Sequence, residues 1–153
     1  MTALAVLLGQ GIGYSASPAM HNAAFAALDV DARYELRDVQ LHELAAEVAA
    51  LRDGDRIGAN ITKPYKVTVC ALVDELGPEV KRLGAANTIV RYGDRLVAHN
   101  TDLAALRGEL PPGIRRAVVL GAGGASRAAV DALSAAGCEA TLVLDRSRWA
   151  NLA

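Results

Sequence analysis

The chain has 153 residues, 52% of them hydrophobic and 22% charged, long enough to bury a core as one domain or two small ones. Its formal net charge is -1 with signs mixed along the chain, which argues against nucleic acid or a membrane surface as partner and in favour of a small polar metabolite. No run approaches the ~20 apolar residues of a membrane span, and the first residues lack a secretory leader's basic, apolar and small-residue sections, so the expected compartment is the cytoplasm.

In chain order, residues 3–8 are apolar and strand-like. After the turn at 9–14, Ser17 and Pro18 read as an N-cap and an N1 proline before a helix over 19–28. Residues 33–39 alternate as a strand, 41–51 carry helical spacing, and 57–61 read as a buried parallel strand. A helix is expected over 64–76, then a hairpin from 87–91 and 95–99 with Gly93 in its turn. A short helix over 103–110 is stopped by Pro111, Pro112 and Gly113, the best domain boundary in the chain. Beyond it, a strand at 117–120, a helix over 124–136 and a strand at 140–144 make one βαβ unit. The expected class is α/β with mainly parallel sheets in both parts. Cys70 and Cys138 sit in apolar contexts and read as inert thiols. His21, His42 and His99 share no ligand spacing, and no metal is expected.

Residues 121–126, Gly-Ala-Gly-Gly-Ala-Ser, follow an apolar strand and open a helix, the setting that makes a glycine pattern informative. Gly121, Gly123, Gly124, Ala125 and Ser126 are therefore candidate cofactor residues. Gly121 allows the tight turn, Gly123 lets a pyrophosphate reach the backbone, and Ser126 stands for the third glycine where helix packs on strand. Free N–H groups at the helix start would face the phosphates, with Arg127 as a nearby cation. Asp145 lies at the end of the second strand of the unit, where an acid accepts hydrogen bonds from ribose hydroxyls. Its charge would repel a 2′-phosphate, favouring NAD over NADP, although Arg146 beside it would partly compensate. The plainer readings are an ordinary strand-to-helix turn and a helix cap.

Three polar groups fall where strands end and helices begin, the place of ligand crevices in such sheets. They are Ser15 to Ser17, Asn60 to Lys66 with Thr62 between, and Asn100 to Asp102 with Thr101 between; Asn87 and Thr88 add a pair. Together they offer donors and acceptors suited to a ligand with a carboxylate and several hydroxyls. Singly, each is as well read as an N-cap, a turn former or a solvated residue.

Five segments in order, Ser-x-Ser-Pro-x-Met-His-Asn at 15–22, Gly-x-Asn-Ile-Thr-x-Pro-x-Lys at 58–66, Gly-Ala-x-Asn-Thr at 84–88, Asn-Thr-Asp at 100–102 and Gly-Ala-Gly-Gly-Ala-x-Arg-Ala at 121–128, resemble the shikimate and quinate dehydrogenase family. The resemblance implies a substrate-binding and catalytic domain over 1–110 and a partial Rossmann-like dinucleotide-binding unit over 114–153. It implies an NADP- or NAD-dependent oxidoreductase of the shikimate pathway, acting between 3-dehydroshikimate and shikimate or on quinate or aminoshikimate relatives. By the same resemblance Ser15 and Ser17 hold the substrate carboxylate, Asn60, Thr62, Asn87, Thr101 and Asp102 line the hydroxyl side, and Lys66 and Asp102 are the catalytic pair. Ketone reduction needs a proton at oxygen as hydride reaches carbon, which a lysine ammonium oriented by an aspartate can deliver. A binding module without redox activity, and a lyase or isomerase using the same pair, are the alternatives.

Departures from the family pattern are Tyr14 where histidine is common, Leu103 where glycine usually follows Asn-Thr-Asp, and Asp145-Arg146-Ser147 in place of Asn-Arg-Thr. The sequence stops at Ala153, short of the family's completed nucleotide-binding sheet. The exposed edge is expected to be covered by a second copy of the chain, by a further C-terminal fragment, or not at all.

Overall fold

The computed structural model of the chain describes residues 2–145; Arg146 and Ser147, named above as candidate cofactor residues, lie outside the described residues. Strand β1 (Ala3–Gly9) leads through a loop to helix α1 (Ser17–Ala27), then strand β2 (Ala32–Asp38), helix α2 (Leu44–Ala49) with a 3-10 turn at Ala50–Arg52, and strand β3 (Arg56–Ile61). A 3-10 turn at Thr68–Ala71, strand β4 (Glu75–Leu76), helix α3 (Pro78–Leu83), strands β5 (Thr88–Tyr92) and β6 (Arg95–His99) and helix α4 (Thr101–Glu109) follow. Strand β7 (Arg116–Leu120), helix α5 (Gly124–Ala135) and strand β8 (Ala140–Leu144) close the described chain.

Among the described residues the first six strands form one sheet in the order β2-β1-β3-β5-β6-β4. It is mixed: β1 runs parallel to β2 and β3, and β4 parallel to β6, while the β5–β6 hairpin enters antiparallel. Strands β7 and β8 pair parallel as a separate ribbon crossed by α5, the expected βαβ unit. One face of the large sheet buries Leu4, Val6, Leu8, Ile61, Tyr65, Ile89 and Leu96 against Leu44, Val48 and Leu51. The other face packs Leu7, Ile12 and Tyr34 against Phe25 of α1. A third cluster, Leu83, Leu103, Ala128 and Ala132, joins α3, α4 and α5, so the glycine-led helix is docked on the elements that end the first sheet. Val118, Leu120 and Leu142 of the ribbon stay exposed.

The structure corrects two expectations. The helix expected over 64–76 is instead a run of turns with one 3-10 segment and the short strand β4; β-branched Val67, Thr68 and Val69 weaken the helix, and Tyr65 and Val69 are drawn into the core. The helix of this region is α3, opened by Pro78 and followed by Gly84, the two punctuating residues that mark a helix start and stop. Ser17 is the first helical residue rather than the cap, with Ala16 at the N-cap and no side-chain cap; its N–H donates to Ser15 Oγ at 3.2 Å and its own Oγ accepts from Ser15 Oγ at 3.1 Å.

Candidate active site

Parallel pairing of β1 and β3 places the loops that leave both strands at one edge of the sheet. Gln10 N donates to Lys63 O and Thr62 N to Leu8 O, and the Lys63 ammonium lies 4.9 Å over the Tyr14 ring. The Ser15–Ser17 loop and the Thr62–Lys66 segment are thereby held side by side. Asp38, at the end of β2, accepts from the Gly11 and Ile12 N–H groups at 2.9 and 3.0 Å, which fixes the first loop. Ser15 Oγ donates to Ser17 Oγ at 3.1 Å.

Lys66 Nζ is 2.6 Å from Asp102 Oδ2, both side chains being mostly buried. Asn87 is buried and its amide is engaged within the protein: Nδ2 donates to Asp102 Oδ1 at 2.7 Å and to Thr101 Oγ1 at 2.9 Å, while Oδ1 accepts from Thr101 N at 2.9 Å and Thr88 Oγ1 at 3.0 Å. Asn60 Oδ1 accepts from the Tyr34 hydroxyl at 2.7 Å, and its Nδ2 donates to Thr88 Oγ1 at 3.2 Å. Burial pushes the Tyr34 hydroxyl up to about 12, so it stays a donor at any ordinary pH. His21 stacks on the Tyr34 ring at 4.2 Å, and Asn22 brackets the Tyr34 peptide, donating to its carbonyl and accepting from its N–H.

Asp102 owes its place to the turn before α4. Asn100 caps that helix, its Oδ1 accepting from Leu103 N at 3.2 Å and its Nδ2 donating to Ala85 O at 2.9 Å. Glu79 accepts from Asn100 N at 3.1 Å and faces His99 Nδ1 at the same distance. Burial pushes the Glu79 carboxyl up, but hydrogen bonds from its own N–H, Asn100 N–H and His99 outweigh that and hold it below its ordinary value.

The lysine faces the glycine turn. Thr62, Lys63, Pro64 and Lys66 form one wall of a cleft of about 430 Å³, and Gly123, Gly124 and Ala125 form the other. Lys66, Asp102 and Ala125 share a second hollow of about 320 Å³. A Cβ on Gly124 would lie 2.7 Å from Lys66 Cβ, so this approach requires glycine. Gly121, at φ 113°, takes a backbone conformation that L side chains rarely adopt, and open space lies in front of it and of Gly123. Gly123 caps α5 with no side-chain hydrogen bond to the helix start. This combination fits a dinucleotide diphosphate.

The sequence-derived residues thus divide. Asn60, Asn87, Thr101, Asp102 and Lys66 belong to one hydrogen-bond network, and Thr62 joins Lys66 on the cleft. Ser15 and Ser17 sit on the adjacent loop, bonded to each other, and line neither hollow. Ser126 donates to Gly123 O at 2.6 Å, bracing the turn. Arg127, expected as a cation for phosphates, instead donates to the carbonyls of Leu83 and Gly84 at 3.1 and 3.2 Å, at the electronegative end of α3. Tyr34, Glu79 and the linking role of Thr88 carry no mark in the sequence; their polar atoms meet the site only through strand register and burial. Among the described residues no His, Cys, Asp and Glu cluster has metal-binding geometry, and no helix is long and apolar enough to cross a membrane.

The family model for the shikimate dehydrogenase substrate binding domain matches residues 7–89, more than half of the chain. The chain belongs to the shikimate dehydrogenase family. It is 45% identical over 148 residues to the shikimate dehydrogenase (NADP(+)) of Symbiobacterium thermophilum, covering 93% of this chain and 50% of that protein. The shikimate dehydrogenase (NADP(+)) of Caldivirga maquilingensis is 39% identical, with 93% and 54% covered. Among solved structures, the shikimate 5-dehydrogenase of Thermus thermophilus in complex with NADP(H) and shikimate matches with a TM-score of 0.83 and 38% identity, over 95% of this chain and 56% of that one. Shikimate dehydrogenase 1 of Peptoclostridium difficile matches with a TM-score of 0.86 and 27% identity, over 95% and 61%. The chain spans about half the length of the relatives it matches. The α/β class expected from the sequence is that of these family structures.

Proposed function

We propose that the chain binds shikimate or a close cyclohexane carboxylate and serves the NAD(P)-dependent, reversible reduction of 3-dehydroshikimate to shikimate in the cytoplasm, with residues 1–110 as the substrate-binding part and 114–153 as the start of the dinucleotide-binding part. The observation that carries this reading is the Lys66–Asp102 pair, 2.6 Å apart, on a cleft whose far wall is the glycine turn. The names of the relatives, which cover this chain almost completely, support it.

In this reading Lys66, with one N–H on Asp102, directs its other N–H groups into the cleft and delivers a proton to the substrate oxygen in reduction, taking it back in oxidation. Asp102 orients the ammonium and accepts from a ring hydroxyl. Asn60, Thr62, Asn87 and Thr101 line the hydroxyl side, with Asn87 also holding Asp102, and Ser15 and Ser17 receive the carboxylate from the adjacent loop. Gly121, Gly123, Gly124, Ala125 and Ser126 would hold the diphosphate of a dinucleotide, whose nicotinamide, when bound, supplies or takes up hydride. Asp145, which follows β8 and accepts ribose hydroxyls in this reading, weighs toward NAD, against relatives named for NADP(+).

The reading is tested by titrating the chain with shikimate in a calorimeter, then following reduced-nicotinamide absorbance with shikimate and either dinucleotide. Saturable shikimate binding together with nicotinamide reduction is the expected result. Binding of shikimate without any dinucleotide reduction would favour a binding module, and no binding of shikimate or quinate would remove the assignment. Tighter saturation by NADP than by NAD would overturn the inference from Asp145.

A further inference from the structure

The polar side chains around Asp102 are not an unordered cluster. Each donates in one direction: Tyr34 hydroxyl to Asn60 Oδ1, Asn60 Nδ2 to Thr88 Oγ1, Thr88 Oγ1 to Asn87 Oδ1, and Asn87 Nδ2 to Asp102 Oδ1, at 2.7, 3.2, 3.0 and 2.7 Å. Lys66 closes the far end by donating to Asp102 Oδ2. The relay crosses the sheet from β2 over β1 to β3, β5 and the start of α4, and strand register sets it up: Thr88 lies directly opposite Asn60 on one side and His99 on the other.

An asparagine amide can turn by half a rotation and exchange donor for acceptor, so its orientation must come from its partners. Asn60 is fixed because a phenol that stays protonated faces one end. Asn87 is fixed because the Thr101 N–H and the Thr88 hydroxyl both face its oxygen. Thr88 is the member of this relay that both accepts and donates through a single atom. Valine, its isostere, can do neither.

We propose that Thr88 is a positioning residue for the site: its hydroxyl joins Asn60 to Asn87 and reinforces the orientation that Tyr34 gives the first and the Thr101 N–H gives the second, and through Asn87 it steadies the carboxylate of Asp102 that holds Lys66. The inference rests on the proposed substrate reading only for its ligand consequence. Thr88 itself need not touch substrate. Its loss leaves Asn60 Nδ2 with only the longer contact to Asn87 O at 3.5 Å and removes one donor from Asn87 Oδ1, so both amides are held by fewer partners and the donor end presented to a ring hydroxyl is less firmly placed.

The test compares Thr88→Val and Thr88→Ser in the full chain. The first readout is the side-chain NH2 resonances of Asn60 and Asn87 in a ¹⁵N-labelled sample; the second is shikimate affinity by calorimetry. Thr88→Ser keeps the hydroxyl and is expected to leave both NH2 pairs near their original shifts, with affinity within about twofold. Thr88→Val is expected to move both pairs and weaken shikimate about tenfold, the worth of one hydrogen bond to a positioned group. Backbone amide shifts away from β3, β5 and α4 verify folding, and if Thr88→Val does not fold, Thr88→Ala supplies the same comparison. Unmoved NH2 pairs in a folded hydroxyl-free variant, or equal affinity to the parent, would overturn the proposal. If the parent chain binds no shikimate, the substrate reading fails while the resonances still decide the role of Thr88.

Discussion

Lys66 Nζ and Asp102 Oδ2 stand 2.6 Å apart although 36 residues separate them in sequence. The lysine comes from the turns after β3 and the aspartate from the first turn of α4, so the contact exists only because β3, β5 and β6 are neighbours in the sheet. If Lys66 is the proton donor, Lys66→Ala lowers turnover by roughly 100-fold or more with little change in KM. Steady-state kinetics of shikimate oxidation separate the two parameters, and a change confined to KM would remove Lys66 from the chemistry.

Gly124 sets the distance between the glycine turn and that lysine. Adding a methyl group there meets Lys66 Cβ at 2.7 Å, a contact that only a backbone shift relieves. Gly124→Ala is expected to cost roughly 1–3 kcal/mol in chemical denaturation and to weaken dinucleotide binding, whereas Gly123→Ala, with open space before it, is expected to spare stability. Equal stability of Gly124→Ala and the parent would contradict this packing.

Glu79 ties the acid limb of stability to the site. Its folded carboxyl is held below the ordinary value, so its contribution is present above the ordinary carboxylate range and disappears as pH falls through the lowered value. Glu79→Gln is expected to lose roughly 1–2 kcal/mol at neutral pH, with the gap between variant and parent closing below about pH 4. Urea midpoints measured from pH 3 to 7 check the sign; a gap that widens in acid would contradict it.

Tyr34 contributes to the alkaline limb, together with Tyr65 and Cys70, which burial also pushes up. The Tyr34 hydroxyl is pushed up to about 12 in the fold and ionises near 10 when exposed, so stability present below about pH 10 is lost as pH rises toward 12. Tyr34→Phe, having no group to ionise, should show a shallower fall over that interval than the parent. Thermal unfolding at pH 9, 10 and 11 measures the difference, and parallel curves would show that the hydroxyl is not held by burial.

The legible part of this protein is whatever lies in local pattern. The apolar runs that become β1 and β3, the glycine stop in the β5–β6 hairpin, the proline pair after α4 and the strand-turn-helix setting of Gly121 all follow from neighbouring residues. The segment after Pro64 misleads because its apolar spacing suits a helix, while its β-branched residues and the burial of Tyr65 and Val69 decide otherwise. Lys66, Asp102, Asn60 and Asn87 are legible because family motifs mark them. Tyr34 and Glu79 carry no such mark: a tyrosine in an alternating strand and a glutamate in a short helix reach the site only through pairing that the linear sequence does not display, and Thr88, although a motif residue, shows its bridging role only in the register that sets it opposite Asn60. Arg127 shows the converse, a cation beside a glycine turn that is turned to the carbonyls ending α3.

In the proposed reading one polyhydroxy carboxylate binds where Lys66, Asp102 and the Asn60–Asn87 network meet. The most direct test of that reading is a shikimate titration of the ¹⁵N-labelled chain followed by backbone amide resonances. The expected result is saturable shifts concentrated at Ser15, Ser17, Asn60, Thr62, Lys66, Asn87, Thr101 and Asp102, lost in Lys66→Ala. Shifts that gather elsewhere, or no shift at millimolar shikimate, would contradict it.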